Sequence, residues 1–223
     1  MGECEYSSPV AMVKIICFAN SLKHSGRCIA GINPSTGEWI RPISRLDNGR
    51  IPSNLSILDG EPIQPLDIID IPLFDQGKGY ECENRFISSK IWRRLGKAEP
   101  EDIAQYCEAE ILHSDYDDWL NAVPYSYLID LPLKQRRTLQ LVEAQDFQVR
   151  CNSYGKWRGA IPLATKENLI ANVTDPALCT KLNNGYSLSA HCLVALSLSQ
   201  PWRKPDSEDE SLCYRLIAGV IEL

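Results

Sequence analysis

Short apolar or alternating segments recur along this chain at roughly ten-residue spacing, with Gly, Pro, Asn and Ser standing between them. That pattern constrains the fold more than any other feature. Val13–Ala19 is a continuous apolar run of strand length. Arg27–Ile32 and Glu38–Ile43 flank Asn33-Pro34-Ser35-Thr36-Gly37, whose Pro and Gly predict a hairpin turn. Asp67–Leu73 alternates, with Ile69, Ile71 and Leu73 on one face. Pro72 has no N–H for a ladder, which puts the end of that strand at an edge or bulge. Later, Leu139, Leu141, Phe147, Val149 and Cys151 alternate with polar residues, as do Leu169, Ala171 and Val173. Leu193–Leu198 and Tyr214–Leu223 complete the series. Strands at this spacing build small β-barrels or a sandwich, because a doubly wound sheet needs long helices between its strands.

Helix signals are confined to three segments. Within Glu101–Leu112, Ile103, Cys107 and Ile111 recur at helical spacing, predicting an amphipathic helix with its acids outward. Asp115–Ala122 reads as a second short helix. Asp175, Pro176 and the later Gly185 are the start and stop signals of another. The stretch Cys28-Ile29-Ala30-Gly31-Ile32 is echoed by Leu216-Ile217-Ala218-Gly219-Val220, which raises an internal duplication as one explanation and chance similarity of apolar strands as the other.

The 223 residues suffice for one large domain or two small ones, and 44% apolar with 23% charged residues is an ordinary globular balance. The longest uncharged apolar stretch, around Ile15–Ala19, is about seven residues against the ~20 of a membrane span. No leader pattern opens the chain, and Tyr6 stands where a myristoylation signal requires Ser or Thr. A cytoplasmic protein without a membrane partner is expected. The nine cysteines include no CxxC pair. Cys17, Cys28, Cys151, Cys192 and Cys213 lie in apolar runs and read as buried free thiols of a reducing compartment.

Net charge is −6, which by itself disfavours a nucleic-acid partner. The acids are clustered, however. Residues 99–118 carry eight acids and residues 206–210 carry four, with no Lys or Arg in either stretch. Setting those twelve aside leaves 17 of the 29 acids against 23 bases, a body of +6. Such a body can present a positive groove, or both acidic stretches are simply solvated surface.

Two features carry chemistry. Asn20-Ser21-Leu22-Lys23-His24-Ser25-Gly26-Arg27 gathers hydrogen-bonding and cationic side chains around a glycine between two apolar strands. It reads either as a loop that surrounds a phosphate or base edge, or as an ordinary connection with solvated charges. Aromatic residues also keep company with arginine: Trp39 with Arg41, Trp92 with Arg93 and Arg94, Trp157 with Arg158, and Trp202 with Arg203 and Lys204. Stacking platforms beside guanidinium groups suit single-stranded nucleic acid, whereas a strand Trp is also an ordinary core residue. Catalytic patterns are missing: there is no P-loop, GxGxxG, GxSxG, HExxH or deaminase signature, and His24, His113 and His191 are far apart. Asp115, Asp117 and Asp118 read as an exposed acidic turn.

The segment Lys14–Ser44 (KIICFANSLKHSGRCIAGINPSTGEWIRPIS) resembles the opening of the dual OB-containing domain family of prokaryotic proteins. Asp67–Leu73 (DIIDIPL), Val173–Pro176 (VTDP), Leu196–Ser199 (LSLS) and Arg215–Leu223 (RLIAGVIEL) follow that family's pattern in the same order. The resemblance implies two OB-like barrels and a nucleic-acid or nucleotide-binding role, with no established activity. OB barrels also bind oligosaccharides and proteins, so function inferred this way is analogy.

The expected fold class is therefore α+β, mostly β, with two OB-like small β-barrels and a helical insertion between them. Residues 1–9 are expected as a flexible tail, 10–90 as the first barrel, 91–135 as the helical connection and 136–223 as the second barrel. The expected function is a non-catalytic binding module for single-stranded nucleic acid or a nucleotide ligand. The alternatives are a ligand-sensing or protein-interaction subunit of a larger prokaryotic system, and an enzyme acting on nucleic acid. The candidate ligand-binding residues are Asn20, Ser21, Lys23, His24, Arg27, Trp39, Arg41, Trp157 and Arg158. The partners expected are single-stranded DNA or RNA, or a nucleotide, with a protein partner as the alternative. No cofactor, metal or catalytic residue is expected.

Overall fold

The computed structural model describes residues 10–23, 25–75, 77–115, 120–163 and 167–223. The first part of the chain holds β1 (Val10–Lys23), β2 (Gly26–Ile32), β3 (Trp39–Ile43), β4 (Ile57–Leu58), β5 (Glu61–Pro62), β6 (Asp67–Phe74), β7 (Asn84–Phe86) and β8 (Arg93–Lys97). β4 and β5 pair with each other, and the others form one six-stranded sheet in the order β7-β3-β2-β1-β6-β8. β3 and β7 run parallel and the remaining pairs are antiparallel. A bridge between Leu73 and Ile87 joins β6 to the residue that follows β7. Pro72 lies opposite Met12, beyond the Asp67–Asp70 stretch that β8 covers, and its carbonyl accepts from the Ser88 N–H at 2.9 Å beside the Leu73–Ile87 bridge, a short edge contact that tolerates the missing proline N–H.

The middle of the chain holds α1 (Pro100–Ile103), β9 (Ala122–Pro124) and α2 (Tyr125–Asp130). After it come β10 (Leu139–Ala144), β11 (Gln148–Cys151), β12 (Trp157–Pro162), β13 (Asn168–Val173), α3 (Pro176–Asn183), β14 (Cys192–Leu198) and β15 (Leu212–Glu222). The second sheet has the order β10-β14-β15-β13-β12-β11, with β9 added alongside β15. Its two outermost strands, β10 and β11, are consecutive in the chain, separated only by residues 145–147. The protein is mostly β, as the strand spacing predicts. α3 forms where its signals lie: the Asp175 carboxylate accepts from the N–H groups of Ala177 and Leu178 at 2.9 and 3.1 Å, and Gly185 adopts φ +83° beyond the helix end.

The apolar run Val13–Ala19 is explained by burial on both sides. Ile15 and Cys17 enter a core within the first sheet with Ile29, Ile69 and Ile71. Ile16 and Phe18, pointing the other way, enter a core shared with Leu139, Leu141, Leu193 and Ala218 of the second sheet. β14 is apolar for the same reason, with Cys192, Val194 and Leu196 in the second sheet's own core and Leu193 and Ala195 in the shared one. The two echoed pentapeptides occupy different positions, β2 of the first sheet and β15 of the second. Their glycines do the same job. A Cβ on Gly31 would overlap the Ile16 carbonyl oxygen, and one on Gly219 would overlap that of Phe18, so both strands rest directly on β1.

Residues 91–135 differ from the helical connection expected. β8 and β9 belong to the two sheets, and helix among the described residues is limited to α1, α2 and two single turns at Ala104–Tyr106 and Leu133–Gln135. The helix expected over Glu101–Leu112 stops early because tertiary partners take its backbone. The Glu108 N–H donates to the Leu141 carbonyl at 2.8 Å and the Leu112 N–H to Gln140 Oε1 at 3.0 Å. Gln140 Nε2 in turn donates to the Glu110 carbonyl. Ile103 and Ile111 are still buried and Cys107 half-buried, so the periodicity located the apolar contacts but not the backbone conformation. The second short helix expected, over Asp115–Ala122, falls largely on residues 116–119, outside the described set; Ala122 itself is in β9. No helix among the described residues is long and apolar enough to cross a membrane.

The described cysteines are free thiols. Cys17, Cys192 and Cys213 are buried and Cys28 half-buried, but Cys151 is exposed, contrary to the sequence reading. It lies at the last pair of β11 with β12, where the strand meets the turn around Gly155 at the end of the sheet. Burial pushes the Cys192 thiol up to about 12 and the Cys213 thiol up to about 11. A thiol reagent at neutral pH should therefore modify Cys151 early in the native protein and Cys17, Cys192 and Cys213 only after denaturation. Peptide mapping of the labelled sites checks this, and rapid native labelling of Cys17 or Cys192 contradicts it. Cys4 lies outside the described residues.

Candidate nucleic-acid interface

The β1–β2 hairpin carries the polar loop to the second sheet. At its tip Lys23 pairs with Gly26, and the Leu22 N–H donates to the Thr174 carbonyl at 3.1 Å. A cleft of about 590 Å³ opens beside this contact. Ser21, Lys23, Cys28 and Arg41 line one wall, while Asn172, Ser197 through Trp202, Tyr214 and Leu216 line the other. Burial lowers the Lys23 pKa, and its ammonium has no hydrogen bond or salt bridge among the described residues. An anion reaching it would restore the solvation that burial removed.

Arg41 forms the floor of the cleft and is 4% exposed. Its guanidinium donates to Thr138 Oγ1 at 2.9 Å and to Asn84 Oδ1 at 3.4 Å, and lies 3.6 Å from Glu81 Oε1. Glu81 also accepts from Asn84 Nδ2 at 2.9 Å and from Gln200, itself in the cleft wall. Glu83 accepts from the N–H groups of Thr138 and Leu139, tying the start of β10 to the first sheet. Burial works against the Arg41 charge, but Cys28, Glu83, Glu81 and Tyr80 outweigh it and raise its pKa. The cation is thus held in place rather than free to follow a ligand. Nε of Arg41 is buried without a partner among the described residues.

Trp202 and Tyr214 stand at the cleft mouth, 52% and 39% exposed. Their rings meet edge to face with centroids 6.1 Å apart. The bridge between Trp202 and Leu212 brings them together across the acidic loop that separates them in sequence. Neither is among the candidate ligand-binding residues named from the sequence. Trp202-Arg203-Lys204 was a visible signal, whereas nothing local marks Tyr214.

The other sequence candidates disperse. Asn20 and Arg27 line a separate pocket of about 250 Å³ against Pro62–Pro65 and the start of α3. Asn20 Nδ2 donates to the Ile63 carbonyl at 2.6 Å. Trp39 is 8% exposed, edge-on to Phe18 at 5.5 Å in the shared core, and therefore not on an exposed face with Arg41. Trp157 and Arg158 point to opposite faces of β12. The Trp157 indole donates to Asn183 Oδ1 at 2.8 Å and packs toward the core, while Arg158 is exposed. His24 lies outside the described residues.

A family model described as the dual OB-containing domain matches residues 13–220. The chain belongs to the dual OB-containing domain family. No curated protein matches it. Among solved structures, this dual OB-containing chain is similar to the Ifi202 HINa domain in complex with 20bp dsDNA, at 9% identity and TM-score 0.31, covering 96% of this chain and 100% of that one. It is also similar to the tetrameric p202 HIN2, at 10% identity and TM-score 0.32, covering 97% and 95% respectively. A murine DNA binding protein bound with ds DNA is similar at 9% identity and TM-score 0.29, with 96% and 97% covered. In the dual OB-containing chain, no three His, Cys, Asp or Glu residues among those described converge as metal ligands. His113 Nε2 is engaged with the Arg137 carbonyl at 2.8 Å and His191 Nε2 with Glu143 at 2.7 Å.

Proposed function

We propose that this dual OB-containing chain is a binding module for single-stranded nucleic acid or a nucleotide, built from OB-like barrels at about 10–90 and 136–223. The ligand enters the cleft between them, where it is bound without being chemically altered. The observation that carries this reading is the pairing, across one cleft, of the Lys23 ammonium, which has no partner among the described residues, with the exposed rings of Trp202 and Tyr214. A phosphate satisfies the first and a base stacks on the second, and both parts are sequence-tolerant. The volume falls within the ~300–1,000 Å³ of small-ligand clefts. Ser21, Asn172 and Ser199 supply hydroxyl and amide groups along the walls for sugar and base edges.

The electrostatic and stacking parts of affinity should separate under mutation. Lys23→Ala should make the log–log salt dependence of oligonucleotide binding shallower by up to about 0.7. Trp202→Ala should leave that slope alone and weaken binding by about 1–3 kcal/mol, as for loss of a stacking platform. Trp39→Phe, a core change, should alter neither. Fluorescence anisotropy with short single-stranded oligomers, begun at low ionic strength because net charge is −6, measures all three. Absence of binding to DNA or RNA oligomers and to nucleotides at low salt overturns the reading.

A further inference from the structure

A row of directly opposed residues carries the cleft wall out across the second sheet. Ser197 is paired with Leu216 and Leu216 with Asn172, and all three line the cleft. Beyond the cleft, Asn172 is paired with Arg158 and Arg158 with Arg150. Directly opposed residues share a face of the sheet, so both arginines stand on the surface that the cleft opens onto. Asn172, Arg158 and Arg150 are all exposed.

Among the described residues none neutralises either arginine. Arg158 makes one long hydrogen bond, 3.5 Å to the Ile170 carbonyl, and Arg150 one of 3.4 Å to Gln148 Oε1. No described carboxylate forms a salt bridge with either. Like charges placed directly opposite each other on a sheet repel, so the bare face carries an unfavourable pair that a polyanion relieves. With adjacent strands ~4.8 Å apart, the three strand steps from Leu216 to Arg150 span about 14 Å. A mononucleotide with its base on Trp202 and its phosphate at Lys23 leaves both arginines unused.

We infer that the Asn172–Arg158–Arg150 row is a phosphate track leading out of the cleft, and that the ligand is a single-stranded polynucleotide rather than a mononucleotide. This rests on the reading of the cleft as a nucleic-acid site. One end of the strand stacks a base at Trp202 and Tyr214, and the following phosphates pass over Asn172 toward the two guanidinium groups.

The test compares thymidine monophosphate with oligothymidylates of increasing length on the intact chain. Affinity should rise with length beyond one nucleotide. Arg158→Gln and Arg150→Gln should each flatten that rise and make the salt slope for the long oligomer shallower by up to about 0.7, with binding of the monophosphate unchanged. Both substitutions remove an exposed like charge, so thermal melting should show the fold retained; Arg158→Glu, with a larger loss, is the second variant. If the monophosphate binds but longer oligomers bind no tighter, or the arginine variants keep the full length dependence, the track is wrong and the cleft stands. If neither monophosphate nor oligomer binds, the cleft reading itself has failed. Inorganic polyphosphate that displaces the oligomer as well as unlabelled oligomer does would show a polyanion site without base recognition and would overturn the inference.

Discussion

Arg41→Met should lower the unfolding free energy by about 3–5 kcal/mol, the cost of breaking a buried ion pair by removing one partner. Methionine fills much the same volume but leaves Glu81, 6% exposed, without its cation, and strips a donor from each of Thr138 and Asn84. Glu83, 2% exposed, loses its nearby compensating charge as well. The effect reaches the cleft because Gln200 is held by the same Glu81. Urea unfolding monitored by tryptophan fluorescence measures the loss. The double variant Arg41→Met/Glu81→Gln should lose less than the sum of its singles, since the second change removes the stranded carboxylate, with a coupling of about 0.5–3 kcal/mol. A single-variant loss under about 1 kcal/mol would place the network's weight elsewhere.

Gly219→Ala should cost about 3 kcal/mol, the upper part of the range for overpacking, because the atom in the way is backbone. The new methyl group would overlap the Phe18 carbonyl oxygen, so β15 and β1 must part where the two sheets share a core. Gly31→Ala pushes against Ile16 in the same strand and should behave alike. Gly155 is the contrast: its φ is +71° and nothing lies within 4 Å of an added Cβ. Alanine there should cost only the roughly 1–2 kcal/mol of a left-handed residue. Denaturation midpoints of the three variants check the order. Equal losses at Gly219 and Gly155 would mean that the close approach of the two sheets is not what the glycine serves.

The candidate site was partly legible. Ser21, Lys23 and Arg41, which line the proposed cleft, are visible in the sequence because polar and cationic residues beside a turn and on a short strand stand out among apolar neighbours. Trp39 was misplaced in the groove because a stacking Trp and a core Trp look the same within a strand. Which face is covered depends on Phe18 and the second sheet, far from Trp39 in sequence. No local pattern marks Tyr214, because the strand return at Leu212 is what brings it to Trp202. Asn20 and Arg27 share the loop of Lys23 but face another pocket, since successive strand residues point to opposite faces.

By itself the sequence determined β1, β2, β3, β6, β10, β11, β13, β14 and β15, the hairpin between Ile32 and Trp39 and the capped helix α3. These follow from side-chain period, turn residues and caps, which act over a few residues. It also marked Ile103 and Ile111 for burial. Only the tertiary structure decided that the chain between them leaves the helix, because the Leu141 carbonyl and the Gln140 side chain of β10 take up its backbone hydrogen bonds. The exposure of Cys151, the burial of Arg41 and the alignment of Arg150 with Arg158 were decided there too. Each depends on which strand lies alongside, and strand pairing is set by contacts between residues distant in the chain.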